Sequence, residues 1–360
     1  MHIAQYWHKE QNTDAVRCEL CPHNCLIPAG RTGRCRVRMN ENGQLQTLNY
    51  GELTAVALDP MEKKPLYHFY PGKTVLSLGT FGCNMRCQFC QNHDISQMAA
   101  EAGVGAGKAA RAEAEARTTH ARRQFSAEDV VRLVATQGQG QSQGQSCVGA
   151  AFTYSEPSVW YEFVYDAARL VKEKGFVNVL VTNGFFSGKA LRDLLPFVDA
   201  ANVDLKSFGD EFYREICGAS LKPVLETIIA MKKALHLHLE LTTLLIPGLN
   251  DGVDEIEKLA AWVAAEVGKD TPLHLSRYFP SYRMELPPTP EKTMAAAYEA
   301  ARGFLQYVYV GNITVPYGQD TYCPSCGQKV ISRSNFRQVH FEGFSDKHCT
   351  ACGYPIPIIM

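Results

Sequence analysis

Three cysteines within one short stretch constrain this chain more than any other feature. Cys83, Cys87 and Cys90, spaced C-x3-C-x2-C, lie in the segment Gly79-Thr80-Phe81-Gly82-Cys83-Asn84-Met85-Arg86-Cys87-Gln88-Phe89-Cys90-Gln91-Asn92, directly after the apolar run Val75-Leu76-Ser77-Leu78. An ordinary [4Fe–4S] cube takes four thiolates, one per iron. Three thiolates on one short loop leave the fourth iron open to a ligand from outside the protein, as catalytic metal sites keep one position free. Gly79 and Gly82 permit the tight turns such a wrap requires. Phe89 beside Cys90 would shield the cluster from water, one of the protein's levers on its potential. Zinc sites pair their cysteines as hooks from two separate segments, which this compact triple does not do.

Composition supports metal chemistry in a reducing compartment. The chain has 360 residues and 13 cysteines, is 46% hydrophobic and carries a formal net charge of −1. That content suffices for one large core with small appendages and implies no global electrostatic partner. No apolar run has the length of a membrane span, and Met1 to His8 lack a basic-then-apolar signal pattern, so the expected location is the cytoplasm, away from membranes. Disulfides are disfavoured there, and clustered cysteines read as metal ligands. Cys147 and Cys217 stand apart from the clusters and read as small buried hydrophobes.

Two further cysteine groups flank the first. Residues 1–55 contain Cys18, Cys21, Cys25 and Cys35 among turn formers Pro22, Pro28, Gly30 and Gly33. They predict a compact lobe stapled by zinc in a closed four-cysteine site or by a second, electron-transfer cluster. Arg31, Arg34, Arg36 and Arg38 would surround it as a solvated basic face. The tail, 311–360, carries Cys323-x2-Cys326 and, after 22 intervening residues, Cys349-x2-Cys352, each pair followed by Gly327 or Gly353. Two such knuckles are the pattern of a zinc ribbon. His348 reads as an exposed histidine.

Between these lie alternating strand and helix patterns. Strands are expected at 75–80, 149–154, 177–182, 201–206, 237–246 and 272–277, with a further one at 306–310. Helices are expected at 126–136, 158–174, 188–195, 221–234, 252–267 and 290–303, with Ser126 and Ser158 as opening caps. This alternation predicts a parallel α/β sheet, an incomplete (β/α)6-type TIM-like barrel over 56–310, working at the C-terminal ends of its strands. Residues 99–124 and 137–146 are low in apolar content and read as mobile surface insertions. His236 and His238 read as structural. Arg277, Tyr278 and Tyr282, at the end of the sixth strand, are expected to face the barrel mouth.

The cysteine motif resembles that of the radical S-adenosylmethionine (radical SAM) enzymes. The resemblance implies that S-adenosyl-L-methionine chelates the open iron and that one electron from the cluster cleaves it to a 5′-deoxyadenosyl radical. It assigns cofactor contacts to Asn92; to Tyr154, Ser155 and Glu156, where Gly-Gly-Glu-Pro is common in the family and this chain has Tyr154-Ser155-Glu156-Pro157; to Thr182 and Asn183 of Thr182-Asn183-Gly184; and to Asp204 and Lys206. Alternation along a strand turns Asp204 and Lys206 to one side, and a buried acid and base are costly unless they pair or serve a ligand. Pro247-Gly248-Leu249-Asn250-Asp251 falls where an adenine-contacting loop is usual.

Over nearly its whole length the chain resembles the radical SAM branch of the AmmeMemoRadiSam system. The shared features are the N-terminal cysteine lobe, Glu62-Lys63-Lys64-Pro65-Leu66-Tyr67-His68, the stretch from Gly82 to Asn92, Tyr154 to Pro157, and Thr321-Tyr322-Cys323-Pro324-Ser325-Cys326-Gly327. The branch implies companion proteins of that system as partners and a flavodoxin- or ferredoxin-type one-electron reductant; it supplies no settled substrate, and a macromolecular one, protein or RNA, is compatible with it. A glycyl-radical enzyme activase, similar to the pyruvate formate-lyase activating enzyme, is the nearest enzymatic alternative. A non-catalytic iron–sulfur and zinc-ribbon binding module is the alternative of another class.

Overall fold

The apolar runs after Val75 become consecutive strands of one sheet. The structure, a computed structural model, describes residues 2–97, 122–139, 146–336 and 338–360. Its main sheet contains β1 (Ala55–Pro60), β2 (Thr74–Gly79), β3 (Cys147–Phe152), β4 (Val177–Thr182), β5 (Ala200–Asp204), β6 (His238–Leu245), β7 (Leu273–Arg277) and β8 (Val308–Gly311). They lie side by side in chain order, with β1 and β8 at the edges. β1 runs antiparallel to β2, and every later pairing is parallel. A parallel sheet needs crossovers, and these are α1 (Ala127–Gln139), α2 (Tyr161–Glu173), α3 (Gly188–Leu194), α4 (Leu221–Lys233), α5 (Val253–Trp262) and α6 (Glu291–Arg302).

Helix spacing explains the packing. In α2, Tyr161, Val164, Ala168 and Val171 are buried, an i, i+3, i+7, i+10 stripe that faces the sheet. At the start of α1, Ser126 and Asp129 form a reciprocal capping box: Ser126 N donates to Asp129 Oδ2 at 2.8 Å, and Asp129 N to Ser126 Oγ at 3.2 Å. Ser158 is not the cap of the next helical segment. Glu156 is, accepting from Ser158 N at 3.0 Å, because Pro157 fills the first helical position and leaves the preceding side chain free to reach forward. Of the two expected insertions, 99–124 lies outside the described residues except for 122–124, where Arg123–Gln124 pair with Glu52–Leu53. The second, 137–146, lies largely outside them as well; α1 continues to Gln139.

The segment 59–72 seals the sheet's N-terminal ends. Buried Glu240 on β6 accepts from the backbone N–H of Tyr67 and His68, at 3.0 and 2.7 Å, and from His238 and His274, at 2.9 and 2.6 Å. Burial opposes its ionisation, but the two imidazoles hold its carboxyl well below the usual range. His236 contacts the Leu195 carbonyl at 3.0 Å. The tail grips the same end: Arg333 donates to the Tyr67 carbonyl at 2.7 Å and lies over its ring, and Tyr70 N donates to the Ile359 carbonyl at 2.7 Å. The N-terminal residues fold as two small antiparallel sheets. A fully buried ion pair, Arg38 to Glu162 at 3.0 Å, ties them to α2. Among the described residues no helix is long and apolar enough to cross a membrane.

Candidate active site

A cavity of about 250 Å³ opens at the C-terminal ends of the strands. Cys83, Cys87, Cys90, Asn92, Tyr154, Ser155, Glu156, Thr182, Asn183, Asp204 and Lys206 all line it. Parallel strands in chain order bring the residues following β2, β3, β4 and β5 to one end, so motifs far apart in sequence meet there.

Tyr154 occupies a glycine-like backbone state, with φ at 67°, a conformation costing a non-glycine residue roughly 1–2 kcal/mol. Its hydroxyl donates to Asp59 Oδ2 at 2.5 Å, and the Lys64 ammonium sits 4.5 Å from its ring centroid. The backbone that glycine would give is thus retained, with the ring anchored below. Asn92 Nδ2 donates to the Tyr154 carbonyl at 2.8 Å. Gly79 is required beside it, since a Cβ there would lie 2.9 Å from both the Thr153 carbonyl and Tyr154 Cβ.

Glu156 is buried and richly hydrogen-bonded. Its Oε1 accepts from Thr182 Oγ1 at 2.8 Å and its Oε2 from Asn183 N at 2.8 Å, beside the cap bond to Ser158. Burial pushes its carboxyl up against these donors. Ser155 Oγ is buried at the cavity wall and finds no partner among the described residues.

Lys206 Nζ donates to Asp204 Oδ2 at 2.8 Å. Burial alone would lower the ammonium's pKa, but Asp204 and the neighbouring thiols of Cys87 and Cys217 outweigh it and hold the value well above the ordinary one. Lys206 is therefore a fixed cation beside the cysteines.

Each wall of the cysteine loop has nearby donors. Met85 N lies 3.4 Å and Asn183 Nδ2 3.7 Å from Cys83 Sγ, and Ser96 Oγ lies 3.2 Å from Cys90 Sγ. Cys217 is buried in the core, as expected, and its segment backs the cysteine loop. Arg86 N donates to the Cys217 carbonyl at 2.8 Å and Gln88 N to the Ile216 carbonyl at 3.0 Å. The buried Cys217 is thereby held behind the cysteine loop. Phe89 is buried and packs near Phe212.

Asn84, unremarked in the sequence, ties the cysteine loop to its neighbours. Its Nδ2 donates to the Phe185 carbonyl at 2.9 Å and to Ser158 Oγ at 3.1 Å, and its Oδ1 accepts from Asn183 at 2.9 Å. Thr242, Ser276 and Asn312 complete the far wall. Thr242 carries a sequence signal, a polar residue within the apolar β6 run; Asn312 carries none. Other expectations need correction. Tyr278 is buried and donates to the Met284 carbonyl at 2.8 Å, and Arg277 donates to the Thr289 carbonyl at 2.8 Å, because the chain after β7 folds back over that strand end. Tyr282 stacks on His93. The loop 247–251 does not line the cavity; Asn250 instead donates to the Lys206 carbonyl at 2.6 Å and buttresses that residue.

In the tail, the Sγ atoms of Cys323, Cys326, Cys349 and Cys352 all lie within 4.8 Å of one another. Cys323 and Cys352 are 3.6 Å apart, and Cys326 and Cys349 are 3.7 Å apart. The two knuckles repeat one geometry: Gly327 N donates to the Cys323 carbonyl and Gly353 N to the Cys349 carbonyl, each at 2.9 Å, with φ at 74° and 73°. Four thiolates so placed can hold one metal ion.

A cavity at the C-terminal strand ends, with three converging cysteines and a fixed acid–base pair, defines a class. The radical SAM superfamily profile matches residues 78–263, and the chain belongs to that superfamily. Over its full length it is 38% identical to an uncharacterized protein of Methanocaldococcus jannaschii, covering 100% of both chains. It is 23% identical to a putative glycyl-radical enzyme activating enzyme of the same organism, over 56% of this chain and 67% of that one. Pyruvate formate-lyase 1-activating enzyme of Escherichia coli (strain K12) matches at 26% identity over 49% of this chain and 63% of that one. Among solved structures, a radical SAM methyltransferase from Sphaerobacter thermophilus aligns at 17% identity over 72% of this chain and 71% of that one, with a TM-score of 0.46. The chain is an enzyme of this superfamily, which implies a [4Fe–4S] cluster and S-adenosylmethionine. The residues present fit both: three cysteines, an unpartnered buried hydroxyl, a carboxylate and a cation line the same cavity.

Proposed function

We propose that the chain is the radical SAM enzyme of an AmmeMemoRadiSam-type system, built as an incomplete (β/α)6-type barrel between an N-terminal cysteine lobe and a C-terminal zinc ribbon. The observation that carries this reading is the convergence of Cys83, Cys87, Cys90, Glu156, Asp204 and Lys206 on one cavity. A [4Fe–4S] cluster and S-adenosylmethionine bound there would supply hydrogen-abstracting radical chemistry for a substrate not yet identified, a macromolecule in this reading. Cys83, Cys87 and Cys90 hold the cluster. Glu156 presents its carboxylate to the methionine ammonium, in part through the Thr182 and Asn183 groups it orients. Tyr154 and Ser155 offer backbone and hydroxyl contacts, and Asn92 holds the Tyr154 carbonyl in place. Lys206 faces a carboxylate, and Asp204 orients Lys206 or takes a ribose hydroxyl. Phe89 limits water at the cluster.

The similarity to glycyl-radical activating enzymes over about half of the chain supports a second reading, an activase whose substrate is a glycyl-radical protein. Both readings share one test. The reduced, anaerobically reconstituted protein is expected to release 5′-deoxyadenosine and methionine, and the yield to rise with an extract containing the companion proteins. Lys206→Met and Glu156→Gln are expected to cut the yield by about tenfold or more, the worth of one charge-assisted hydrogen bond, while retaining cluster absorbance. No deoxyadenosine from reduced, cluster-replete protein under either condition would leave the non-catalytic module standing. Stimulation by a glycyl-radical protein, not by the companions, would favour the activase.

A further inference from the structure

The four cysteines of the N-terminal lobe lie within reach of one another but are set wider than a single ion requires. Cys18 and Cys25 are directly opposed across an antiparallel pair of strands, Cys21 lies in the turn between them, and Cys35 returns from the following loop. Each thiol is within electrostatic reach of others in the set. Four thiolates on one zinc, each at ~2.3 Å, stand about 3.8 Å apart. The tail sulfurs meet that spacing, at 3.6 and 3.7 Å. Among the described residues, no three of the lobe's cysteines bring their sulfurs within 4.8 Å of one another, and Cys83, Cys87 and Cys90 do not either. Thiolates on separate irons of a cube are held further apart than thiolates on one ion. The molecule thus contains a narrow site in the tail and two wide ones, of which superfamily membership assigns one to a [4Fe–4S] cluster.

Position adds a second observation. The lobe rests on the loop that carries Cys83. A Cβ on Gly82 would lie 2.5 Å from Val37 Cγ1 and 3.1 Å from the Cys35 carbonyl. His23 Nε2 lies 2.8 Å from the Asn84 carbonyl, and Ser187 N donates to the Leu20 carbonyl at 3.1 Å. The two cysteine sets are therefore joined through a few packed residues. The outer side of the lobe faces solvent, with Leu26 53% exposed between Cys25 and Ile27.

We propose that Cys18, Cys21, Cys25 and Cys35 bind a second [4Fe–4S] cluster, which relays one electron to the cluster on Cys83, Cys87 and Cys90. The relay, though not the site, rests on the function proposed above. One electron leaves a flavodoxin-type donor and reduces the lobe cluster from the 2+ to the 1+ state. The lobe cluster returns to 2+ as the catalytic cluster goes from 2+ to 1+. No proton or bond changes in either transfer.

The test uses the full chain. The variant Cys83→Ala/Cys87→Ala/Cys90→Ala, reconstituted anaerobically with iron and sulfide, is expected to keep about four irons per chain, against about eight in the wild type. With dithionite it is expected to show the electron paramagnetic resonance signal of a reduced cube. A variant that holds zinc and no iron at the lobe overturns the site. This measurement requires no S-adenosylmethionine cleavage, so failure of the proposed function and failure of the site are separate results. For the relay, Cys21→Ser is expected to lose deoxyadenosine formation driven by reduced flavodoxin while keeping formation driven by dithionite, which reaches the catalytic cluster directly. Unchanged flavodoxin-driven formation after loss of the lobe's iron overturns the relay. Loss of dithionite-driven formation as well overturns it too, since the lobe then acts on the catalytic site and not on electron entry.

Discussion

The hydroxyl of Tyr154, at the mouth of β3, donates to Asp59 on the antiparallel edge strand at 2.5 Å. This contact holds a tyrosine in a backbone state that glycine adopts freely, at the position where the superfamily commonly has glycine. Asp59 also receives Lys63 at 2.8 Å and Lys64 at 2.7 Å. Tyr154→Phe removes one of three donors to a paired carboxylate and is expected to cost about 1–2 kcal/mol. Tyr154→Gly is expected to recover part of that loss by relieving the backbone. Anaerobic urea unfolding of the three proteins checks the order; a Phe variant as stable as the wild type would show that the anchor contributes nothing.

Cys217 is buried behind the cluster loop, its carbonyl accepting from Arg86 N, next to Cys87 in sequence, at 2.8 Å. A Cys217 S–H that donates to the Cys87 sulfur would stabilise the reduced, more negative state of a cluster held there and raise its potential. Cys217→Ala is therefore expected to shift the midpoint of the Cys83, Cys87 and Cys90 cluster to more negative values, by on the order of tens of millivolts for a one-electron couple. Cys217→Ser, which keeps a donor, is expected to shift it less. Spectroelectrochemical titration reads both; a shift in the positive direction for Ala would sink the assignment.

Glu62 is buried against the tail, with Arg333 Nε 3.8 Å away and Gly72 N donating at 2.9 Å. Burial pushes its carboxyl up to about 7 from the ordinary 4.5. Between these values the unfolded chain has released the proton while the folded chain keeps it, so this group's contribution is full below the lower value and falls as pH rises to the upper one. Glu62→Gln is expected to flatten this loss and to gain about 1–3 kcal/mol over the wild type at pH ~8 relative to pH ~4.5. Denaturation midpoints at the two pH values measure it, and parallel pH profiles would contradict it.

The tail is bound to the segment at the sheet's N-terminal end through Arg333 and Ile359. Truncating it would therefore disturb the segment 59–72, and a point change separates metal loss from packing loss. Cys349→Ser is expected to lose about one zinc per chain, since a closed site uses all four thiolates, while iron content stays that of the wild type. Loss of iron instead would make the tail a cluster site.

Local motifs determined much of this protein from the sequence alone. Cysteine spacing, the strand–helix alternation, and the short segments at Tyr154 to Pro157, Thr182 to Gly184 and Asp204 to Lys206 each depend on neighbours within a few residues. Once the strands are parallel and in chain order, their ends must converge, so the cavity's composition was legible before its shape. The tertiary structure decided what depends on long closures. It set Cys217 behind the cysteine loop, through the bond from Arg86 N to the Cys217 carbonyl, and dipped the Tyr154 ring towards Asp59. It turned Tyr278 inward and folded the tail onto Tyr67. It also set the distances between sulfurs, which spacing along a chain leaves free because the intervening turns can draw the same four thiols onto one ion or around a cube.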